Sequence, residues 1–296
     1  MRAILLYATI VLVWGSTWFA ITFQLGPVAE ELSVAYRFGL ASIALFAYTG
    51  LSGKPFRIPF ADYRNVVMMG VLMYSLSYLL VYHATSCLAS GLVAVVFSLI
   101  VVVNGCFERL FFRRQFEARM MLAAVFGVCG IACLFWPEVS SFEVEDRTIT
   151  GAALAVASVF IASLGNMTAI AVTAKNLPLA TLNAHAMAWG ATSSVIVALL
   201  MGHSINFSLE PAYVLSLSYL ALFGSAIAFG AYLALLKSIG SARAAYTSVL
   251  FPLVALVIST IFEGYRWSLA AVVGVVVIAA GNWLALTRIN EGLNHD

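Results

Sequence analysis

The chain has 296 residues, of which 63% are apolar and 9% charged, and its formal net charge is +2. Soluble domains carry about 45–50% apolar and about 25% charged residues, so a water-exposed globular fold is excluded and a bilayer is the expected solvent. No basic, aromatic-interleaved surface is present, which excludes a nucleic-acid partner.

Apolar stretches of about 20 residues, the length a helix needs to cross about 30 Å of hydrocarbon, recur ten times. In chain order they cover 3 to 23, 32 to 51, 65 to 83, 88 to 111, 119 to 136, 150 to 173, 181 to 201, 212 to 236, 243 to 262 and 267 to 287. The expected fold class is therefore all-α integral membrane, since helices satisfy their own backbone groups in lipid and the alternation of a barrel strand is missing. Met1-Arg2 and the run that follows are too long for a signal peptide and lack a small-residue cleavage site, so they read as a retained first helix. Pro27, Pro55, Pro59, Pro137, Pro178 and Pro211 fall in or beside the connections, where a missing N–H costs least, and only Pro252 lies inside a span.

Lys and Arg fall unevenly on alternate sides. With a cytoplasmic N-terminus, that side collects Arg2, Lys54, Arg57, Arg64, Arg109, Arg113, Arg114, Arg119, Lys175, Lys237, Arg243 and Arg288. The other side holds Arg147 and Arg266, and Arg37 lies inside a span. This asymmetry places both termini in the cytoplasm.

The second half repeats the first. Phe107-Glu108 matches Phe262-Glu263, and Leu122-Ala123-Ala124-Val125-Phe126-Gly127-Val128 matches Leu269-Ala270-Ala271-Val272-Val273-Gly274-Val275. Five spans copied in tandem insert with opposite orientations, and two inverted halves around a midplane site are the plan of a secondary transporter. The halves are residues 1–148 and 149–296.

The run Ser248-Val249-Leu250-Phe251-Pro252-Leu253-Val254-Ala255, ending in Phe262-Glu263 and followed by Gly274 and Gly281, resembles the closing half of a domain of the drug/metabolite transporter superfamily of EamA-type ten-helix transporters. Trp14-Gly15-Ser16 and Arg37 are similar to that family in the first half. The resemblance covers nearly the whole chain. It implies a basket of ten helices with a central cavity in a bacterial inner (plasma) membrane, and export of amino acids, metabolites or drugs. One departure is that Phe97 stands where the repeat puts Pro252.

A proline within a helix removes one hydrogen bond and displaces the carbonyl four residues earlier, here that of Ser248. Pro252 is thus the expected hinge, with Ser248 and Tyr246 near substrate. Arg37, about one turn inside the second span, reads either as an anchor that snorkels outward or as a substrate contact. Glu108 and Glu263 oppose the macrodipoles of their own helices and need partners, for which Arg109 or Arg113 and Arg266 are available. His83 and His185 sit at span edges. No span holds an Asp or a deep pair of carboxylates, so transport is expected to be passive or weakly coupled.

The remaining candidate lining residues are uncharged. Tyr74, Tyr78 and Tyr82 step by four along one face of the third span, and Trp14 and Trp18 share a face of the first with Thr17 beside them. Ser98 and Asn104 on the fourth span, Ser163 and Asn166 on the sixth and Trp189 on the seventh add hydroxyl, amide and aromatic surface. Such a set suits a small amphipathic solute, and no buried Lys or Arg cluster is present to clamp a phosphate. Within the classes the resemblance implies, neutral or aromatic amino acids fit; drugs or quaternary-ammonium cations are the alternative, since ring faces also hold cations. A membrane-embedded enzyme is disfavoured because no metal-spaced histidines, aspartate-rich diphosphate site or Gly-rich phosphate loop occurs. No metal and no cofactor is expected. Cys87, Cys106, Cys129 and Cys133 lie in or at the edge of spans and read as structural thiols without a disulfide. Gly127, Gly130, Gly274 and Gly281 mark the fifth and tenth spans as a closely packed scaffold.

Overall fold

The computed structural model describes residues 2–113, 118–134, 136, 146–173, 177–232 and 247–286. All regular structure among them is helical. In chain order the rods are α1 (Arg2–Thr22), α2 (Glu30–Leu51), α3 (Phe60–Thr85), α4 (Ser90–Phe112), α5 (Ala118–Leu134), α6 (Asp146–Thr173), α7 (Leu179–Leu200), α8 (Pro211–Tyr232), α9 (Thr247–Phe262) and α10 (Leu269–Leu286). Six of them, α1 to α4, α6 and α8, are long and apolar enough to cross a membrane. Shorter apolar stretches fall in α5, α9 and α10. The α7 helix is long enough but less apolar, because it carries Thr181, Asn183, His185 and Ser194.

Apolar side chains cover the outside of the bundle, including Leu12, Ile43, Leu215, Val257 and Val276. In water such a surface would aggregate; in lipid it is the solvated face. The polar residues are turned inward, where Ser33, Arg37, Ser75, Ser158, Ser163, Ser194 and Asn282 are all buried.

Three of the rods are not regular. In α3 the stretch Leu72–Leu76 forms a π turn, and in α8 the stretch Leu220–Ile227 does the same. Such turns are rare and concentrate at functional sites, because the extra residue rotates the helix face that follows it. The α4 rod is interrupted at Ser98 and Leu99, between Ser90–Phe97 and Ile100–Phe112. That break lies next to Phe97, the repeat mate of Pro252, so α4 bends without a proline while α9 carries Pro252 within an unbroken helix.

Helices α5 and α10 pack on each other as closely as their glycines allow. A Cβ at Gly274 would lie 2.7 Å from the Gly130 carbonyl oxygen, and one at Gly281 would meet the Phe126 Cβ at 2.8 Å. Gly127 instead faces Leu99. Elsewhere α2 lies along α7, α1 along α9, α3 against α6 and α7, and α4 against α9 and α6.

Two expectations move. Helix α2 starts at Glu30, so Arg37 lies two turns inside it rather than one, and at 2% exposure it does not reach a headgroup layer. Helix α3 starts at Phe60, five residues before the expected limit, because Asp62 in its first turn and Arg64 just after it lowered the local hydropathy without breaking the helix.

Candidate functional site

Helices α1, α2, α3 and α8 converge on the Arg37 side chain. From α2, its Nε donates to Ser225 Oγ of the α8 π turn at 3.2 Å. Its guanidinium carbon stands 4.7 Å from the centre of the Tyr78 ring and 5.2 Å from that of Phe38, both within the range of a cation–π contact. The Tyr82 side chain lies against it one turn further along α3. A Cβ on Gly224 would stand 3.6 Å from Arg37 Nη2 and 2.7 Å from the Thr17 methyl, so only glycine fits between α1 and α2 at that point.

Aromatic rings close around this centre. Phe38 meets Tyr74 at 5.2 Å and Tyr78 at 4.7 Å, and Phe229 of α8 meets Tyr74 at 5.7 Å and Trp14 at 5.5 Å. Trp14 also contacts Tyr232 and donates its indole N–H to the Gly224 carbonyl at 3.3 Å. Thr17, buried, donates to the Trp14 carbonyl. The Tyr74 hydroxyl donates to Asn183 Oδ1 of α7 at 3.0 Å. Five expected lining residues, Trp14, Thr17, Tyr74, Tyr78 and Tyr82, therefore come together. Beside them Trp18 is held between Phe97 at the α4 break and Phe251 next to Pro252.

The other expected residues form separate groups. Asn104 Oδ1 accepts from Ser163 Oγ at 2.7 Å and from Asn166 Nδ2 at 3.2 Å, tying α4 to α6. Ser98 accepts from Asn282 Nδ2 of α10 at 2.8 Å and donates to the Val95 carbonyl. Trp189 is 37% exposed, its ring meets that of Tyr63 edge-on and its Cβ lies against Gly70, away from the Arg37 cluster. Ser248 lies in the first turn of α9 and Pro252 is buried within that helix. Tyr246 lies outside the described residues. The four cysteines are free.

At the ends of α2 and α3 that the charge tally assigns to the outside, Glu31 is fully buried. Its Oε1 lies 2.9 Å from His83 Nε2 and its Oε2 lies 3.2 Å from His203 Nδ1. Around it Gln24 donates to the Tyr213 carbonyl and to Ser216, Ser33 pairs with the Tyr213 hydroxyl, and Tyr36 donates to the Asn206 carbonyl. These contacts tie α2, α3 and α8 to the segments that follow α1 and α7. Glu263 has partners other than the expected Arg266. Its carboxylate accepts from the Ser90 N–H at 3.1 Å, from the Ser90 hydroxyl at 2.8 Å and from the Ser259 hydroxyl. It thereby caps the N-terminus of α4, whose dipole favours a negative charge, instead of relying on a cation for its own helix end.

Ser225, Gly224, Phe229, Phe38, Glu31 and His203 escaped the sequence reading. Glu31 lay one residue outside the expected span, and the small Gly224-Ser225 pair in an apolar run carried no distinguishing pattern.

The EamA-like transporter family matches the chain at residues 1–136 and again at 149–287. The chain is 26% identical over 282 residues to the uncharacterized inner membrane transporter YedA of Escherichia coli (strain K12), covering 92% of this chain and 89% of that protein. An uncharacterized transporter of Buchnera aphidicola subsp. Schizaphis graminum is 21% identical over 253 residues, 85% of this chain and 83% of that one. A solved crystal structure superposes with a TM-score of 0.67 over 97% of this chain and 98% of its own, and at 16% identity it shows the fold alone. The chain is a multi-pass inner-membrane protein, and it belongs to the EamA-like transporter family of membrane transporters.

Proposed function

We propose that this transporter exports amino acids, neutral and aromatic ones with broad specificity, by alternating access between two inverted five-helix halves, residues 1–148 and 149–296. The observation that carries the substrate class is the closure of Trp14, Phe38, Tyr74, Tyr78 and Phe229 around a polar centre. Rings of this kind supply apolar area for a side chain, while Thr17, Ser225 and Tyr82 supply polar atoms for its charged end. The two separate family matches, one per half, support the tandem arrangement. Both termini are cytoplasmic in this reading.

In the proposed path the substrate meets Trp14, Thr17, Tyr74, Tyr78 and Tyr82 at the convergence of α1, α2, α3 and α8. Asn104, Ser163, Asn166 and Ser98 form a second polar station, and Trp189, Tyr246 and Ser248 complete the set, with Pro252 as the hinge of α9. Transport is passive or weakly coupled, because the buried carboxylates Glu31 and Glu263 are engaged by His and Ser partners away from the aromatic centre. The alternative substrate, a drug or quaternary-ammonium cation, finds less support: Arg37 already occupies the Tyr78 ring that would hold it and repels a second positive charge.

Counterflow of labelled phenylalanine, threonine and tetraethylammonium in proteoliposomes tests this reading. Amino-acid exchange that Tyr78→Ala suppresses is the expected result, and exchange of the ammonium compound alone overturns it. Accumulation of substrate against its gradient under an imposed proton gradient would remove the passive mode.

A further inference from the structure

Arg37 is a buried cation, 2% exposed, that no described residue neutralises. Among the described residues no carboxylate is paired with it. Glu31 is engaged by two histidines and Glu263 by two serines. Its neighbours are the rings of Phe38 and Tyr78, the Ser225 hydroxyl and the Tyr82 side chain, none of which carries a negative charge. Taking a guanidinium out of water costs more than ring contacts and one neutral hydrogen bond return, so such a group is ordinarily found with its counter-ion.

Arg37 Nη1 and Tyr82 Oη are both fully buried and interact with each other, yet neither makes a hydrogen bond of normal geometry with any described residue. Gln24 Oε1, Asn282 Oδ1, Glu31 Oε2 and His203 Nδ1 are in the same state elsewhere, but none of these is a cation without a counter-charge. The guanidinium can only donate, and the phenol has a hydroxyl proton to give. The group that completes this pocket must therefore accept hydrogen bonds and bring a negative charge. A carboxylate does both, with one oxygen for the guanidinium and the other for the phenol. The aromatic wall of Trp14, Tyr74, Tyr78 and Phe229 stands next to that point, where the rest of an amphipathic anion would lie.

We propose that Arg37 and Tyr82 form a carboxylate-binding site, and that they take the α-carboxylate of the transported amino acid. The second clause rests on the reading of the chain as an amino-acid exporter; the first stands on the unpaired donors alone. The Ser225 hydroxyl positions the guanidinium, and Gly224, without a side chain, lets α8 approach Thr17 and Arg37 closely. The site reads the carboxylate and leaves the side chain to the rings, which accounts for broad specificity among amino acids.

The test compares an acid with its uncharged isostere on the purified transporter. Thermal unfolding in detergent is followed with 3-phenylpropionate and with 3-phenylpropanamide, at constant chloride, on wild type and on Tyr82→Phe, a change that keeps the ring and removes one hydroxyl. The acid is expected to reach its half-maximal shift at an about ten- to hundredfold lower concentration than the amide, the range that a hydrogen bond to a charged group gives. Tyr82→Phe narrows that ratio, and Arg37→Gln abolishes it. Equal shifts from acid and amide, or an acid preference that survives Arg37→Gln, overturn the site. Acid-selective binding in a protein that exchanges no amino acid upholds the site and removes the amino-acid reading.

Discussion

Two charged side chains inside this bundle are treated in opposite ways. Glu263 sits at the junction of α9 and α4 with its oxygens filled by the Ser90 amide, the Ser90 hydroxyl and the Ser259 hydroxyl. Arg37 sits where α1, α2, α3 and α8 meet with one nitrogen bonded to Ser225, another unsatisfied and, among the described residues, no opposite charge paired with it. A polar group whose valences are all met by its own protein holds helices together. One whose valences are left open inside a packed core is unstable unless something else fills them. An open valence alone does not mark a ligand site, since Gln24 Oε1 and Asn282 Oδ1 are also buried without partners in helix contacts; what sets Arg37 apart is that its open valence belongs to a charge.

The sharpest way to break the contrast is Arg37→Met. Replacing a buried charge by an apolar side chain of similar length is often neutral or stabilising, by about 1–4 kcal/mol. The expected outcome is a melting temperature at or above that of the wild type together with loss of amino-acid exchange by about ten- to a hundredfold, the order that loss of a hydrogen bond to a charged group allows. A variant that melts lower would show that the cation is structural, and the contrast would collapse. Glu263→Ala should do the reverse. Three donors lose their acceptor, so stability should fall by about 1–3 kcal/mol, read as a lower melting temperature and yield. The folded remainder should keep the wild-type half-saturation concentration for phenylalanine.

The Asn104 group places a third case between these two. Asn104 accepts from Ser163 and Asn166, so its carbonyl is filled as Glu263 is, yet it belongs to the proposed path. Asn104→Leu should cost about 1–2 kcal/mol by stranding one buried and one half-buried donor, Ser163 and Asn166. If the trio is also a station for substrate, the half-saturation concentration should rise several-fold at unchanged protein yield. An unchanged value would assign the trio to helix packing alone.

Much of this architecture was legible in the chain. Hydropathy describes the rods because lipid imposes one length on every helix. The close α5–α10 contact was readable from Gly130, Gly274 and Gly281 for a similar reason: helix surfaces approach that closely only at residues without side chains. The gathering of Trp14, Thr17, Tyr74, Tyr78 and Tyr82 was half legible. Spacing by four put the tyrosines on one face, but the π turn at Leu72–Leu76 sets which way Tyr78 points, and no periodicity in sequence announces a π turn. Arg37 lies deeper than expected because the expected span begins at residue 32, whereas Glu30 and Glu31 open α2 as acidic residues at a helix N-terminus. The Ser90 cap of Glu263 joins residues 173 positions apart, and a nearer arginine was the natural but mistaken choice.

The smallest expected effect sharpens the comparison from the side of a single neutral hydrogen bond. Ser225 Oγ accepts from Arg37 Nε at 3.2 Å and is fully buried, within the α8 π turn. Ser225→Ala removes that acceptor and little volume, and the cost of one such bond is about 1 kcal/mol. If the hydroxyl serves only packing, the loss appears in the melting temperature and leaves transport kinetics alone. If it aims the guanidinium at a ligand, the half-saturation concentration for phenylalanine rises by about three- to tenfold, the same free energy read as affinity. In that case 3-phenylpropionate weakens by the same factor while 3-phenylpropanamide, which has no charge for Arg37 to meet, is unchanged. That acid-specific loss is the signature of a positioning residue, and a uniform loss for acid and amide would reduce Ser225 to part of the α2–α8 contact.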